Sequence, residues 1–401
     1  MILAHQIALD PTCKQANAFA RAAGCARFAY NWGLAEWKTQ YAAGAKPSAA
    51  SIKKQFNEIK EIEFPWIYDS PKDANQQAFT DLGNAFNNFF KSVKGERKGR
   101  RASFPKFHKK GRRDSFYVSN DKFSFDGKSV RLPVIGRVKI REALRFTGKI
   151  LSARISRTAD KWFISVQVEC EARVPNTPKY ETSGVDLGVK TFAVVSTGQE
   201  LQAPKPLFVA LKSLKRASRI LARRKKGSNN RRKAAMRVAR IHARVANVRK
   251  DFVGKVTTRL CRENQTVVIE DLHVAGMVRN HKLARAVSDV GFGMFRQQMQ
   301  YKSEKFGCAL IVADRWFPSS KRCHMCGNVK EELSLSERTY VCEACGLVED
   351  RDVNAAINLE QYPRLVGNLT PVDTRTKVRR PKRASSVVEA GTNPCTLVCT
   401  I

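Results

Sequence analysis

Apolar residues recur at three- and four-residue steps through positions 14–93, as at Phe19, Phe28, Ala29 and Trp32 and again at Phe79, Leu82, Phe86 and Phe89. That spacing predicts amphipathic helices, with Pro65 and Pro71 breaking them in the middle. From about 115 to 170 the pattern changes: Trp162, Ile164, Val166 and Val168 alternate with polar residues, and Asp126-Gly127 and Thr158-Ala159-Asp160 supply turns. This stretch reads as a small antiparallel β module. Beyond Gly184, apolar runs at Phe192 to Val195, Val267 to Ile269 and Leu310 to Val312 are interspersed with helical spacing, as in an α/β domain.

Two further helices are predicted inside that last region. Leu207, Leu211, Leu214, Ser218 and Leu221 step by four and three, Gly227-Ser228-Asn229-Asn230 interrupts, and Ala234, Val238, Ile241, Val245, Val248 and Phe252 resume the spacing. The reading is a long helical hairpin. From about Arg364 the chain loses any period and is rich in Pro, Thr, Ser and Arg, the composition of a tail that is disordered when free.

Charge changes what these helices mean. The chain has 401 residues, 43% of them apolar, and 73 Lys and Arg against 36 Asp and Glu, a net +37. This excludes collagen-like, low-complexity and wholly disordered chains, and at roughly 150 residues per domain it suggests two or three cores. From Lys205 to Arg262 there are 20 basic residues and the single acid Asp251; from Lys91 to Arg113 there are 11 and the single acid Glu96. A solvated coiled-coil face would interleave acids to gain i,i+4 pairs. Without them the repulsion needs a polyanion, and nucleic acid is the expected partner, with Arg223, Arg224, Lys225, Lys226, Arg231 and Arg232 as backbone contacts. A membrane surface is the rival, but no apolar run approaches the ~18–20 residues of a spanning helix and the start lacks signal-peptide features. The expectation is a soluble, cytoplasmic protein.

Of the eleven cysteines, Cys323, Cys326, Cys342 and Cys345 form C-x2-C-x15-C-x2-C. Two such knuckles, each followed by a glycine (Gly327, Gly346), close a four-thiolate tetrahedral site for structural Zn2+. With four protein ligands the zinc has no open position, so catalysis has to come from elsewhere. Carboxylates at strand ends are the candidates. Gly184-Val185-Asp186-Leu187-Gly188-Val189-Lys190 sets an acid in an apolar strand, as in the opening hairpin of a ribonuclease-H-like sheet. Thr266-Val267-Val268-Ile269-Glu270-Asp271-Leu272 ends a buried strand in acids, and Asp350-Arg351-Asp352-Val353-Asn354 puts acids at a helix start. Gathered on one core, three such acids could hold two divalent ions for phosphodiester hydrolysis.

These stretches, with Phe317-Pro318-Ser319-Ser320 before the first cysteine and Asp350 to Asn358 after the last, occur in the order seen in TnpB (OrfB) proteins of bacterial insertion sequences. Cys25 to Asn31, Asn88-Phe89-Phe90-Lys91 and Phe104-Pro105-Lys106-Phe107 also resemble that family's landmarks, so the resemblance spans nearly the whole chain. It implies an RNA-guided DNA endonuclease related to type V CRISPR effectors, with guide RNA and double-stranded DNA as partners; the oligomeric state is left open, a monomer being favoured. By that resemblance the catalytic Mg2+ ligands are Asp186, Glu270 and Asp352, the last chosen over Asp350 because it stands two residues before Asn354. The family's flanking-motif readers match Lys72 and Gln76.

The implied fold class is α+β and multidomain. The first strand of the β module occupies 1–12, a helical recognition lobe 13–113 and a β-barrel-like wedge module 114–180. A RuvC-like nuclease part at 181–314 carries the basic hairpin at 205–262; a zinc ribbon at 315–348, a closing segment at 349–363 and the disordered tail at 364–401 complete the chain. All three acids are present, which favours cleavage. The alternative is a nuclease-silent RNA-guided or zinc-ribbon binding protein, a repressor or transposition accessory factor.

Overall fold

A computed structural model describes residues 1–97, 99–170, 178–334 and 336–367. The chain opens with β1 (Ile2–Asp10), whose buried His5, Ile7 and Leu9 alternate with exposed positions. Thr12 and Gln15 form a capping box that starts α1 (Cys13–Ala42). α2 (Ala49–Glu63) and α3 (Lys72–Val93) follow, separated by a 3-10 turn at Pro65–Asp69. Tyr30, Leu34 and Trp37 of α1 meet Ala78, Phe79, Leu82 and Phe86 of α3, with the Trp37 and Phe86 rings stacked at 3.9 Å.

Six strands come next: β2 (Ser115–Ser119), β3 (Ser124–Asp126), β4 (Ser129–Leu132), β5 (Gly136–Ile140), β6 (Lys149–Thr158) and β7 (Lys161–Glu169). With β1 they make one seven-stranded antiparallel sheet in the order β2-β6-β7-β1-β5-β4-β3. The barrel-like expectation is corrected here: β2 and β3 are edges and the sheet does not close. Closure is not needed to bury its apolar side, because Phe19, Ala22 and Ala23 of α1 and Ala74 of α3 join that core. The Phe19 ring lies against Phe116 and Trp162, 6.0 and 5.2 Å between centroids.

The second half holds β8 (Tyr180–Leu187), β9 (Ala193–Val195) and β10 (Glu200–Leu201), then α4 (Pro206–Arg223), α5 (Asn229–Glu263) and β11 (Asn264–Glu270). Helices α6 (Val274–Arg279), α7 (Ala284–Val290) and α8 (Phe292–Phe306) lead to β12 (Ala309–Ala313). A small hairpin of β13 (Thr339–Val341) and β14 (Val348–Asp350) precedes α9 (Arg351–Leu365). The five-stranded sheet runs β10-β9-β8-β11-β12, with β8, β9 and β10 antiparallel and β11 parallel to both β8 and β12. Successive β11 residues face opposite ways, as a strand's period of two requires. Val267 and Ile269 pack in the core with Val253, Val256 and Leu260 of α5 and Phe295 and Met299 of α8. Val268 packs on the other face with Leu359 and Tyr362 of α9.

α4 and α5 form the basic helical hairpin. Among the described residues no helix is long and apolar enough to cross a membrane. The tail expectation begins inside the last turn of α9, which continues to Leu365 because Tyr362 still packs in the core; positions 368–401 of that tail lie outside the described residues.

The contact between α9 and β8 is unusually close. A Cβ added at Gly184 would stand 1.9 Å from the Ala356 carbonyl oxygen and 2.4 Å from the Glu360 amide nitrogen. Backbone atoms cannot swing away as a side-chain end can. Gly184→Ala should therefore destabilise the fold by about 3 kcal/mol or more, the upper end of overpacking costs, and lower the midpoint of thermal unfolding. An unchanged midpoint would show that α9 does not dock this tightly.

Candidate functional site

β8 and β11 are parallel neighbours, with Val185 paired to Ile269, so their C-terminal ends finish at the same sheet edge. That register sets Asp186 beside Glu270, with the two carboxyls within reach of each other. α9 starts at the same edge because its docking on Gly184 fixes its position, and this brings Asp352 of its first turn into the electrostatic field of the other two. Burial pushes the Asp186 carboxyl well above the usual carboxylate range, and the charges of Glu270 and Asp352 add to the shift. Burial also raises Glu270. The hydroxyl of Ser319 donates to Glu270 Oε1 at 2.9 Å.

Neighbouring acids have other work. Asp350 is the N-cap of α9, accepting from the amides of Asp352 (2.8 Å) and Val353 (3.1 Å). Asp271 is bound by the guanidiniums of Arg296 and Arg315; burial opposes, but these hydrogen bonds hold its carboxyl below the usual range. The Asp352 carboxylate lies 3.6 Å from Arg351 and 3.8 Å from Arg338. It is thus drawn toward cations on its own side of the site. Asp186 and Glu270, whose proton affinity burial raises, are a donor pair that suits a hard divalent cation, since bound charge would replace the proton, and Asp352 stands half-buried at the same edge.

The four cysteines are the one group of three or more His, Cys, Asp or Glu among the described residues whose ligand atoms all lie within 4.8 Å of one another. Cys323 Sγ is 3.6 Å from Cys345 Sγ, and Cys326 Sγ is 3.5 Å from Cys342 Sγ. A zinc tetrahedron with bonds of about 2.3 Å has edges of about 3.8 Å, so the group fits that ion. The backbone amides of Cys345 and Ala344 lower the Cys342 thiol to about 6, so one thiolate is already available. The His324 ring nitrogen Nδ1 lies 3.1 Å from Asn354 Oδ1, which leaves it outside the sulfur group.

Of the basic candidates, Arg223, Arg224, Lys225, Lys226 and Arg232 are exposed at the tip of the α4–α5 hairpin. Arg231 differs: its guanidinium donates to the carbonyls of Leu221 (2.9 Å) and Arg224 (3.0 Å), closing the turn. Lys72 opens α3 in the exposed state and Gln76 sits one turn later, half-buried. Neither is near the acids in sequence or sheet.

Three functional contributions escaped the sequence reading. Ser319 belongs to the Phe317 to Ser320 stretch, but its bond to Glu270 depends on the fold. Asn354 and Asn358 are fully buried on α9 and grip the approach to the first knuckle: Asn354 donates to the Arg322 carbonyl at 2.8 Å, Asn358 to those of Ser319 and Arg322 at 3.0 and 2.6 Å. Their spacing of four was a visible helical signal. Asp289 is buried too, accepting from the amides of Leu207 and Phe208, both at 2.9 Å, and pairing with Arg249 at 3.1 Å; it anchors both helices of the basic hairpin.

Comparison with known proteins matches residues 165–281 to a family model described as "Probable transposase" (OrfB of IS605), and residues 292–359 to "Cas12f1-like, TNB domain". Residues 1–46 match a helix-turn-helix model of the same OrfB group. The chain is 37% identical over 358 residues to a "Putative RNA-guided DNA endonuclease" of Streptomyces pristinaespiralis, covering 87% of this chain and 86% of that one. It is 31% identical over 376 residues to the Escherichia coli protein of that name designated InsQ, covering 89% and 91%. A solved Cas12f1-sgRNA-target DNA complex shares the fold with a TM-score of 0.54 at 13% identity, over 85% of this chain and 82% of that chain.

Two outcomes follow from the site's chemistry. Cys323→Ser or Cys342→Ser should remove about one zinc per chain and much of the solubility, measured by metal analysis after chelator-free purification. For Asp186 the folded chain binds a proton that the unfolded chain releases, so metal-free stability should fall as pH rises from about 4 through the raised pKa. Asp186→Asn removes this dependence and should unfold at a higher temperature than wild type near neutral pH, with the gap closing as pH is lowered. Parallel curves across that range would contradict the burial of Asp186 beside Glu270 and Asp352.

Proposed function

The chain belongs to the TnpB (OrfB) family, and from that premise we propose that it is an RNA-guided DNA endonuclease of a transposable element. Cleavage is assigned to Asp186, Glu270 and Asp352 acting on a phosphodiester. What supports the reading is that Asp186 on β8, Glu270 on β11 and Asp352 on α9 lie at one edge of the sheet, close enough for the charges of Glu270 and Asp352 to act on Asp186. Such a set would hold Mg2+, which when bound activates water and neutralises charge at the leaving oxygen. The protein's own groups do the positioning. Ser319 fixes the rotation of the Glu270 carboxylate, and the packing of α9 on Gly184 sets the distance of Asp352 from the strands. Arg338 and Arg351 hold the Asp352 carboxylate and must release it when metal is bound.

Guide RNA and target DNA supply the polyanion that the net charge of +37 calls for. The exposed tip of the α4–α5 hairpin suits backbone contacts, which orient nucleic acid without reading sequence. Lys72 and Gln76 on α3 remain the proposed readers of a short motif flanking the target, Gln suiting an adenine edge.

Alanine at Asp186, Glu270 or Asp352 should reduce magnesium-dependent cutting by guide-loaded protein to background while leaving target binding intact. Wild-type protein that binds its target and never cuts would favour the nuclease-silent alternative. Neutralising Arg223, Arg224, Lys225, Lys226 and Arg232 together should weaken RNA binding irrespective of sequence and flatten its salt dependence by about one unit of slope per lost contact. An Arg231→Ala chain should instead lose helical-hairpin stability, since that side chain closes the turn.

A further inference from the structure

Three residues beyond β12 the chain exposes Trp316, 85% accessible to solvent. Exposure of one apolar side chain needs no explanation in itself. Its setting does. β12 ends at Ala313, the register partner of Glu270, so Trp316 lies within about 11 Å of that partner by the reach of an extended chain.

The backbone carrying it is fixed on both sides. The Asp314 amide donates to the Tyr362 hydroxyl at 3.0 Å, and the Trp316 amide donates to Asp314 Oδ1 at 2.8 Å. Arg315 is bound to Asp271 through its guanidinium. Phe317 packs its ring on Tyr362 at 4.8 Å, and Ser319 reaches Glu270. Every neighbour is anchored to the core or to the acids, while the indole has no ring partner among the described residues. A large flat ring is thus held in solvent on a rigid turn that runs from the strand partner of Glu270 to Ser319, which bonds Glu270, in a protein with strong excess positive charge.

We propose that Trp316 is a stacking platform for an unpaired base of the DNA strand delivered to Asp186, Glu270 and Asp352. This rests on the nuclease reading for the identity of that strand. Base stacking suits the geometry because each base offers a π face whatever its identity, so the platform tolerates any target sequence. A paired base is already stacked on its neighbours, so the platform favours single-stranded DNA. Rigidity of the turn means that little ordering entropy is lost when the base arrives. Trp316 is a positioning residue by this account: it sets where the strand lies and leaves the chemistry to the acids.

The test uses the full-length chain and a short oligodeoxythymidine carrying one 5-iododeoxyuridine, with no magnesium added. Irradiation should cross-link the probe to the peptide containing Trp316, identified by mass spectrometry. Trp316→Ala should bind the probe about tenfold more weakly, the scale of one lost base–aromatic stack, whereas Trp316→Phe should stay within about threefold of wild type. In guide-loaded protein Trp316→Ala should raise KM for target DNA with kcat little changed. Cross-links confined to other peptides, together with unchanged affinity of Trp316→Ala, would overturn the platform even if wild type cuts normally. Cross-linking through Trp316 in a protein that cuts nothing would support the platform while removing the nuclease reading.

Discussion

Helix α9 approaches β8 so closely that position 184 has room for hydrogen alone, and the geometry of the sheet edge that carries Asp186, Glu270 and Asp352 depends on this contact. Two acids are placed by strand register, which is set locally by the pairing of β8 with β11. The third sits on a helix more than eighty residues further along the chain and arrives only because α9 docks. The same helix holds the first cysteine knuckle through Asn354, Asn358 and Gln361, which donate to the carbonyls of Ser319, Arg322 and His324. The four-cysteine group and the acids are therefore linked through one rigid element. The knuckle orients the start of α9, and the start of α9 carries Asp352.

The acids oppose the docking that gathers them. Burial raises the affinity of Asp186 and Glu270 for protons, and the neighbouring carboxylate charges, those of Glu270 and Asp352 at Asp186 and that of Asp352 at Glu270, add to it. Arg338 and Arg351 offset part of that negative charge at Asp352. The larger imbalance has the opposite sign: an excess of 37 positive charges, concentrated on the α4–α5 hairpin and the stretch after α3. A divalent cation relieves the first and a nucleic acid the second, so each imbalance of the free chain matches something the assembled complex would contain.

Much of this was legible in the sequence where a pattern is local. The four-cysteine spacing reports a knuckle geometry that two residues between thiolates nearly dictate, and the apolar steps of α4 and α5, with the break at Gly227, report helices and their turn. Strand-end acids were visible as candidates, and Asp350 could be told from Asp352 only by resemblance until the cap hydrogen bonds were seen. Closure of the β module was beyond reach, because alternation marks which face is buried and says nothing of what covers it. Here α1 covers it with Phe19. Likewise the capture of Arg231 by two carbonyls is invisible in a run of basic residues, and the partners of Asp289 lie about eighty and forty positions away on α4 and α5.

The central claim is that three carboxylates from separate parts of the chain converge on bound metal. Anomalous scattering from crystals of the guide- and target-bound protein soaked in manganese reads this directly. The account predicts two manganese peaks about 3.5–4 Å apart, bonded to Asp186, Glu270 and Asp352, with Asp352 released from Arg351 and Arg338. A complex that cuts its target in solution yet shows no manganese at these three side chains would contradict it.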